Sequence, residues 1–392
     1  MNALDVVLLL AAVASALTGF RHGFLTAISS LVGFLLGAWA GLRLAPLLLD
    51  DAPRVFSTAV VAVLVVLLVA GVGQFLGALA GRYLRQMITW QPGRLIDASA
   101  GAVTAVTYLL VFTWAAGVAV ASSGLPVLGS LVRGSSVLTS VDRVLPDTGT
   151  ALFGRFTQLL DRGGFPVVFA PFNRESIAPV EPPAPDQSIT PAVLAVQASV
   201  VRVQGRASSC ARNVTGSGFV YAPGVVITNA HVVAGVEAPR VLAQDGTDLS
   251  AEVVWFDPEA DIAVLRVPGL AAPPVPYGGD VDAGDPVATI GYPGGGSLLV
   301  GPSRVRTEQV IIGPDIYGTS NVAREVYALR AQVLPGDSGG PLVAPDGTVV
   351  GIVFAASLDD PDTAYAFTAR EALPVITLGA ASTTAVSAGK CA

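Results

Sequence analysis

The chain has 392 residues, 52% of them hydrophobic and only 13% charged, with a formal net charge of −7. Soluble domains carry about 25% charged residues, so this composition, with a mean hydropathy of +0.64, excludes both an ordinary soluble enzyme and a disordered chain. The acidic balance argues against nucleic acid as a partner. Two Cys and two His exclude multi-cysteine zinc and iron–sulfur sites, and no metal or cofactor is expected.

The apolar residues crowd into the first third of the chain. A membrane-spanning helix needs about 20 of them. Four candidates follow one another, near 4–20, 23–42, 55–81 and 98–120. The first contains Ala12-Val13-Ala14, a signal-cleavage-like pattern. Asp5 and the lack of Arg or Lys before the run favour a retained helix instead. Arg21, Arg82, Arg85 and Arg94 in loops one and three outweigh Arg43 and Arg54 in loop two. That bias puts loops one and three in the cytoplasm and both ends of the bundle outside. Gly33, Gly37 and Gly41 share one helix face, as do Gly73, Gly77 and Gly81. Such faces let helices approach closely, either within the bundle or in a homo-oligomer. The glycine content and hydropathy of residues 1–121 resemble the colicin-V-production-type membrane domain. Only Asp5 and Asp97 come near the spans, both at span ends, which argues against a transport path.

Residues 122–194 read as a connection. Leu152, Phe153, Phe156, Leu159 and Leu160 form one apolar helical face within 148–162. The Pro-rich stretch 179–191 predicts an extended, semi-rigid spacer open to clipping. From 195 to 392 short Val-, Ile- and aromatic-rich runs alternate with Gly, Pro and Asp turns. Strands are expected near 198–203, 215–221, 224–229, 250–255 and 261–267, then near 286–291, 304–312, 324–332, 340–344, 348–356 and 364–368. A short helix after Thr368 follows. Two strand clusters separated at 268–284 suit a pair of small β-barrels.

Three segments carry chemistry. His231 lies in Ile227-Thr228-Asn229-Ala230-His231, and Asp261 opens an alternating strand. Ser338 lies in Gly336-Asp337-Ser338-Gly339-Gly340-Pro341, where flanking glycines permit a tight turn with free backbone N–H groups. Asp257, before Pro258, reads as a turn residue. The order His…Asp…Ser is that of chymotrypsin-like enzymes. The segments resemble chymotrypsin-fold serine proteases, most of all the HtrA type, over 195–378. With only 54 residues after Ser338, no PDZ domain of the HtrA kind fits. The whole layout resembles the actinobacterial acid-resistance periplasmic serine protease.

That resemblance implies a four-helix transmembrane bundle followed by an all-β chymotrypsin-like double β-barrel. It implies a membrane-anchored extracytoplasmic endopeptidase that cleaves cell-envelope proteins, such as cell-wall hydrolases, in envelope maintenance and acid-stress resistance. Ser338 is then the nucleophile, His231 the base and Asp261 its orienting acid, with Gly336 and Ser338 N–H groups as the oxyanion hole. Gln332 would lie at the base of the S1 pocket, and Phe354, Ala355, Ala356 and Ser357 along its wall, favouring uncharged P1 residues. HtrA enzymes commonly have Asn where Asp337 stands; an Arg partner or an activating cleavage could serve it. Cys210 and Cys391, both in the outer half, are either a disulfide or two free thiols. Because His231 must be neutral to act, acid is expected to work on maturation, conformation or substrate exposure and not on the chemical step. The alternatives are a catalytically silent protease-fold scaffold, or an accessory domain of a membrane transport or secretion factor.

Overall fold

The computed structural model describes residues 2–48, 56–121, 126–145, 175, 177–210, 212–357 and 360–392. The amphipathic face expected at 148–162 lies outside the described residues. The chain forms two units, one of residues 1–117 with 135–142, the other of 118–134 with 143–392.

Among the described residues four helices are long and apolar enough to cross a membrane: α1 (Ala3–His22), α2 (Phe24–Leu48), α3 (Phe56–Gln86) and α4 (Gln91–Ala121). Leu68 is 70% exposed and Phe112 75% exposed, an outer surface suited to lipid and not to water. The glycine faces meet each other. A Cβ on Gly33 would fall 2.1 Å from Gly73 O, and one on Gly77 2.1 Å from Ser29 O. Gly19 and Gly101 bring α1 against α4 in the same way, at 2.4 Å from Gly101 O. The six glycines thus serve the contact between α2 and α3, the within-bundle alternative of the two.

Two short helices follow, α5 (Pro126–Arg133) and α6 (Ser136–Asp142). Asp5 is fully buried and caps α6: its carboxylate accepts from Ser135 Oγ at 2.5 Å, Val137 N at 3.1 Å and Ser136 N at 3.2 Å. Asp97 accepts from Leu25 N at 2.9 Å, in the first turn of α2, and pairs with Arg85 Nε at 2.9 Å. Both span-end carboxylates thus serve helix termini, where the dipole favours negative charge.

The second unit is β-rich. Strands β1 (Val200–Ala207), β2 (Arg212–Ala222), β3 (Val225–Thr228), β4 (Arg240–Leu242), β5 (Asp248–Ser250), β6 (Glu252–Asp257) and β7 (Ile262–Arg266) form a sheet in the order β5-β4-β1-β2-β3-β7-β6. The two outermost strands, β5 and β6, are separated in sequence by Ala251 alone, so the sheet must curl until its edges meet. Strands β8 (Pro286–Gly291), β9 (Leu299–Pro314), β10 (Asn321–Arg330), β11 (Pro341–Val343), β12 (Val349–Ala356) and β13 (Thr363–Thr368) close a barrel in the order β10-β13-β12-β11-β8-β9. Phe219, Ile227 and Val264 of the first half share one core with Ile290, Ile352, Phe354 and Phe367 of the second.

The expected spacer is not a spacer. Residues 185–196 form helices α7 (Pro185–Ser188) and α8 (Pro191–Val196), the latter capped by Thr190 Oγ1, which accepts from Val193 N at 3.2 Å. Val193 is fully buried in the shared core. Arg306 donates to Ala178 O at 2.9 Å, Arg330 to Val180 O at 2.7 Å and Arg304 to Gln187 Oε1 at 3.0 Å. The prolines stiffen this strap, but the arginines of β9 and β10 decide where it lies. The protease fold therefore begins upstream of residue 195.

At its other end the chain forms α9 (Ala230–Val233) within the first half and α10 (Ala369–Ala381) after β13. The tail then runs beside the first sheet. Val386 N donates to Val253 O at 2.8 Å and Gly235 N to Ala388 O at 3.0 Å, and Cys391 is disulfide-bonded to Cys210 across 181 residues. A bridge of this kind contributes roughly 2–5 kcal/mol.

Two outcomes test these contacts. Gly33→Leu should collapse the folded yield of the full chain in detergent. Gly71→Leu should not, because nothing lies within 4 Å of the added Cβ at Gly71. A fragment 177–392 should melt roughly 5–10 °C above a fragment 195–392; equal midpoints would show that the strap adds nothing.

Candidate active site

Strand β3 ends at Thr228 and the chain turns at Asn229 into the single turn of α9, which carries His231. Asp261 stands at the start of β7, after a turn in which Asp257 Oδ1 accepts from Glu259 N at 3.0 Å and Ala260 N at 2.9 Å. Asp257 is therefore the turn residue its sequence suggested. Asp261 has φ of 54°, the one positive value outside glycine among the described residues. That strain is held from two sides: Asn229 Nδ2 donates to Asp261 O at 2.9 Å, and His231 N donates to its Oδ1 at 2.9 Å. The ring follows, with Nδ1 2.8 Å from Oδ2 and 3.0 Å from Oδ1. Donation from Nδ1 to a carboxylate leaves Nε2 as the proton acceptor. Nε2 is buried and has no hydrogen-bond partner among the described residues.

Arg324 of β10 stiffens the loop before Asp261. It is buried, and Nε and Nη2 donate to Glu259 O at 2.8 and 2.6 Å while Nη1 donates to Pro314 O at 3.1 Å. Burial lowers its pKa, and the nearby carboxylates, Asp261 first, act against that.

Ser338 lies in a loop from the second barrel. Gly336 has φ of 107° and Gly339 of 85°, conformations that suit glycine. A Cβ on Gly339 would fall 2.5 Å from Thr228 Oγ1 and 3.1 Å from Asn229 N, so this glycine seats the loop directly on the turn that leads into His231. Ser338 is 2% exposed, and its Oγ is turned toward Phe354 O at 3.5 Å. The N–H groups of Gly336 and Ser338 have no acceptor among the described residues. The arrangement holds an imidazole oriented by an acid, a serine loop seated by Gly339 on the turn that leads into that imidazole, and two N–H groups without an acceptor among the described residues. These are the parts of an acyl-transfer site.

The residues expected at the S1 pocket fare differently. The Phe354 ring stacks on Phe367 with centroids 3.9 Å apart, and Ala355 is fully buried. Both side chains belong to the core, because β12 is covered on both faces; Phe354 offers the site its carbonyl instead. Gln332 is exposed and donates to Asp362 Oδ1 at 3.0 Å. Ala356 is half-buried. Ser357 hydrogen-bonds the Glu175 carboxylate, which also accepts from Tyr365 OH at 3.0 Å.

Asp337 is 9% exposed and accepts from Leu334 N at 2.8 Å. No cation pairs with it among the described residues. Burial pushes its carboxyl from 3.8 up to about 6. The fold therefore favours the neutral acid. Its stabilisation is complete below the unfolded value of 3.8 and is lost as pH rises through about 6. Ionised Asp337 at pH 8 forfeits about 3 kcal/mol relative to strong acid. Asp337→Asn should therefore raise the denaturation midpoint relative to wild type, by about 6–12 °C more at pH 8 than at pH 4. An equal offset at both pH values would remove the electrostatic account.

The trypsin-like peptidase domain family matches residues 216–352, and the colicin V production protein family matches residues 4–146. The chain is 38% identical over 371 residues to the serine protease Rv3671c of Mycobacterium tuberculosis, covering 94% of this chain and 93% of that protein. It is 36% identical over 146 residues to a probable periplasmic serine endoprotease DegP-like of Halomonas elongata, covering 36% of this chain and 29% of the relative. The crystal structure of the Rv3671c protease in its active form aligns with a TM-score of 0.54 at 41% identity, covering 57% of this chain and 99% of that one. The chain belongs to the family of membrane-anchored, trypsin-like serine proteases that includes Rv3671c, with a colicin-V-production-type membrane domain ahead of an HtrA-like protease domain.

Proposed function

We propose that the chain is an extracytoplasmic serine endopeptidase in which Ser338, His231 and Asp261 act as a triad. The observation that carries this reading is the seating of Gly339 on Thr228 and Asn229, which brings the Ser338 loop to the turn bearing the His231–Asp261 pair. In this reading the Ser338 hydroxyl gives up its contact with Phe354 O for one with Nε2. His231 takes the hydroxyl proton as Oγ adds to the substrate carbonyl. The oxyanion is held by the N–H groups of Gly336 and Ser338. His231 then gives the proton to the leaving amine, and water repeats the sequence to free the acid and regenerate Ser338.

The arginine bias of the membrane loops supports a protease domain outside the plasma membrane, in the periplasm or its equivalent. The Cys210–Cys391 disulfide suits that compartment. Cell-envelope proteins, cell-wall hydrolases among them, are then the accessible substrates. A role in acid-stress resistance fits the neutral Asp337 that acid favours.

The orientation of Ser338 Oγ toward Phe354 O also favours a second reading, a latent enzyme or scaffold. A fluorophosphonate probe applied to the full chain in detergent separates the two. Labelling that disappears in Ser338→Ala, with peptide hydrolysis lower by about 10⁶-fold, is the expected result. No labelling of the wild type between pH 5 and 8 would leave the scaffold.

A further inference from the structure

Strand β2 carries Gly216-Ser217-Gly218 at its centre. Glycine inside a strand weakens it and marks a place where another backbone comes close. A Cβ on Gly216 would fall 3.1 Å from Ser338 O, and one on Gly218 2.9 Å from Ile227 O. Ser217, between them, is fully buried. Its N–H donates to Ser338 O at 2.8 Å. Its hydroxyl donates to Gly336 O at 2.7 Å and accepts from Tyr292 N at 2.9 Å. Its carbonyl accepts from Thr228 Oγ1 at 2.7 Å. One residue of the first sheet thus grips the second barrel's serine loop at two carbonyls, on either side of Asp337.

Those carbonyls matter because of the peptide groups they belong to. Gly336 has φ of 107°, and a glycine can turn its peptide group over at little steric cost. Turned over, the Gly336 carbonyl would rotate together with the peptide that follows it and disturb the Ser338 N–H. The preceding peptide is already held, since Gly294 N donates to Pro335 O at 2.6 Å. The following one is held at both ends: Asp337 N donates to Leu334 O at 3.0 Å, and the Ser217 hydroxyl holds its carbonyl, the end contributed by Gly336. A buried hydroxyl with one donor and one acceptor bond made is an anchor that costs free energy to undo.

We propose that Ser217 is a positioning residue: its hydroxyl, itself oriented by the Tyr292 N–H, fixes the Gly336 carbonyl so that the N–H groups of Gly336 and Ser338 stay available to the oxyanion. This rests on the reading of Ser338 as nucleophile. Ser217 touches neither substrate nor the reacting atoms and acts through the loop alone.

The test is the rate at which a fluorophosphonate labels Ser338 in the full chain in detergent, followed against pH. Losing an oxyanion donor outright costs about 100- to 1000-fold, so loosening the pair in Ser217→Ala should lower the maximal rate by about 10- to 100-fold. The pH midpoint should stay at the wild-type value, because the His231–Asp261 pair is untouched. Val220→Ala, a cavity in the same strand with no polar contact to the loop, should lose stability and keep the wild-type rate. Ser217→Cys fills the site but donates weakly, and the same loss of rate is expected if it is the variant that folds. A rate within about twofold of wild type in folded Ser217→Ala or Ser217→Cys overturns the inference, as does a fall that Val220→Ala matches. An unlabelled wild type, or labelling that survives Ser338→Ala, would instead remove the catalytic reading beneath it.

Discussion

The protease domain depends on close backbone approach along one seam. The two sheets share a single apolar core, with Phe219 and Ile227 from one side and Phe354 and Phe367 from the other. Along that seam the backbones come too near for side chains. Gly216 and Gly339 are each placed where a Cβ would fall within about 3 Å of a backbone atom across the gap, Ser338 O for the first and Ser217 O for the second. The seam brings the serine loop of the second barrel to the histidine turn of the first. Ser217 then converts proximity into orientation, because its hydrogen bonds cross the seam to two carbonyls of that loop.

Around this seam the buried charges are handled in three ways. Asp261 is met by donors: His231 contributes its backbone N–H and its ring, while Arg324 braces the preceding loop through carbonyls. Arg306 is buried beside Asp360 at 3.2 Å and takes the strap's Ala178 carbonyl as well. Asp337 has one backbone donor, Leu334 N, and no cation among the described residues, and burial shifts its proton affinity. Acid therefore acts oppositely on different carboxylates of this unit. It relieves Asp337, while Asp315 and Asp360, held below the usual carboxylate range by their hydrogen bonds, lose stabilisation as they protonate.

In the membrane unit the same economy of space operates without water. Glycine against glycine joins α2 to α3, and Gly19 against Gly101 joins α1 to α4. Lipid offers no hydrophobic drive for helices to associate, so close van der Waals contact has to do it. Asp5 and Asp97 accept from the N-terminal N–H groups of α6 and α2, joined by the Ser135 hydroxyl and by Arg85 respectively.

The sequence by itself determined the two-part architecture, because a 20-residue apolar run and a period-two strand pattern are local properties of the chain. It also singled out the candidates for chemistry: His231 and Asp261 mean little alone, but with Ser338 in Gly336-Asp337-Ser338-Gly339-Gly340-Pro341 they form an ordered set. Strands β4 and β5 escaped it, since three-residue strands carry no periodicity. Asn229 and Arg324 escaped it as well, since each works through contacts far along the chain. Ser217 left a trace, a strand serine between glycines, but nothing local says what approaches it. Only the tertiary structure decided that the Pro-rich segment is a strap and not a spacer, that the paired glycine faces meet within one chain, and that Phe354 belongs to the core. Each outcome depends on which surface arrives from elsewhere in the chain, and hydrophobic pattern and turn chemistry carry no record of that partner.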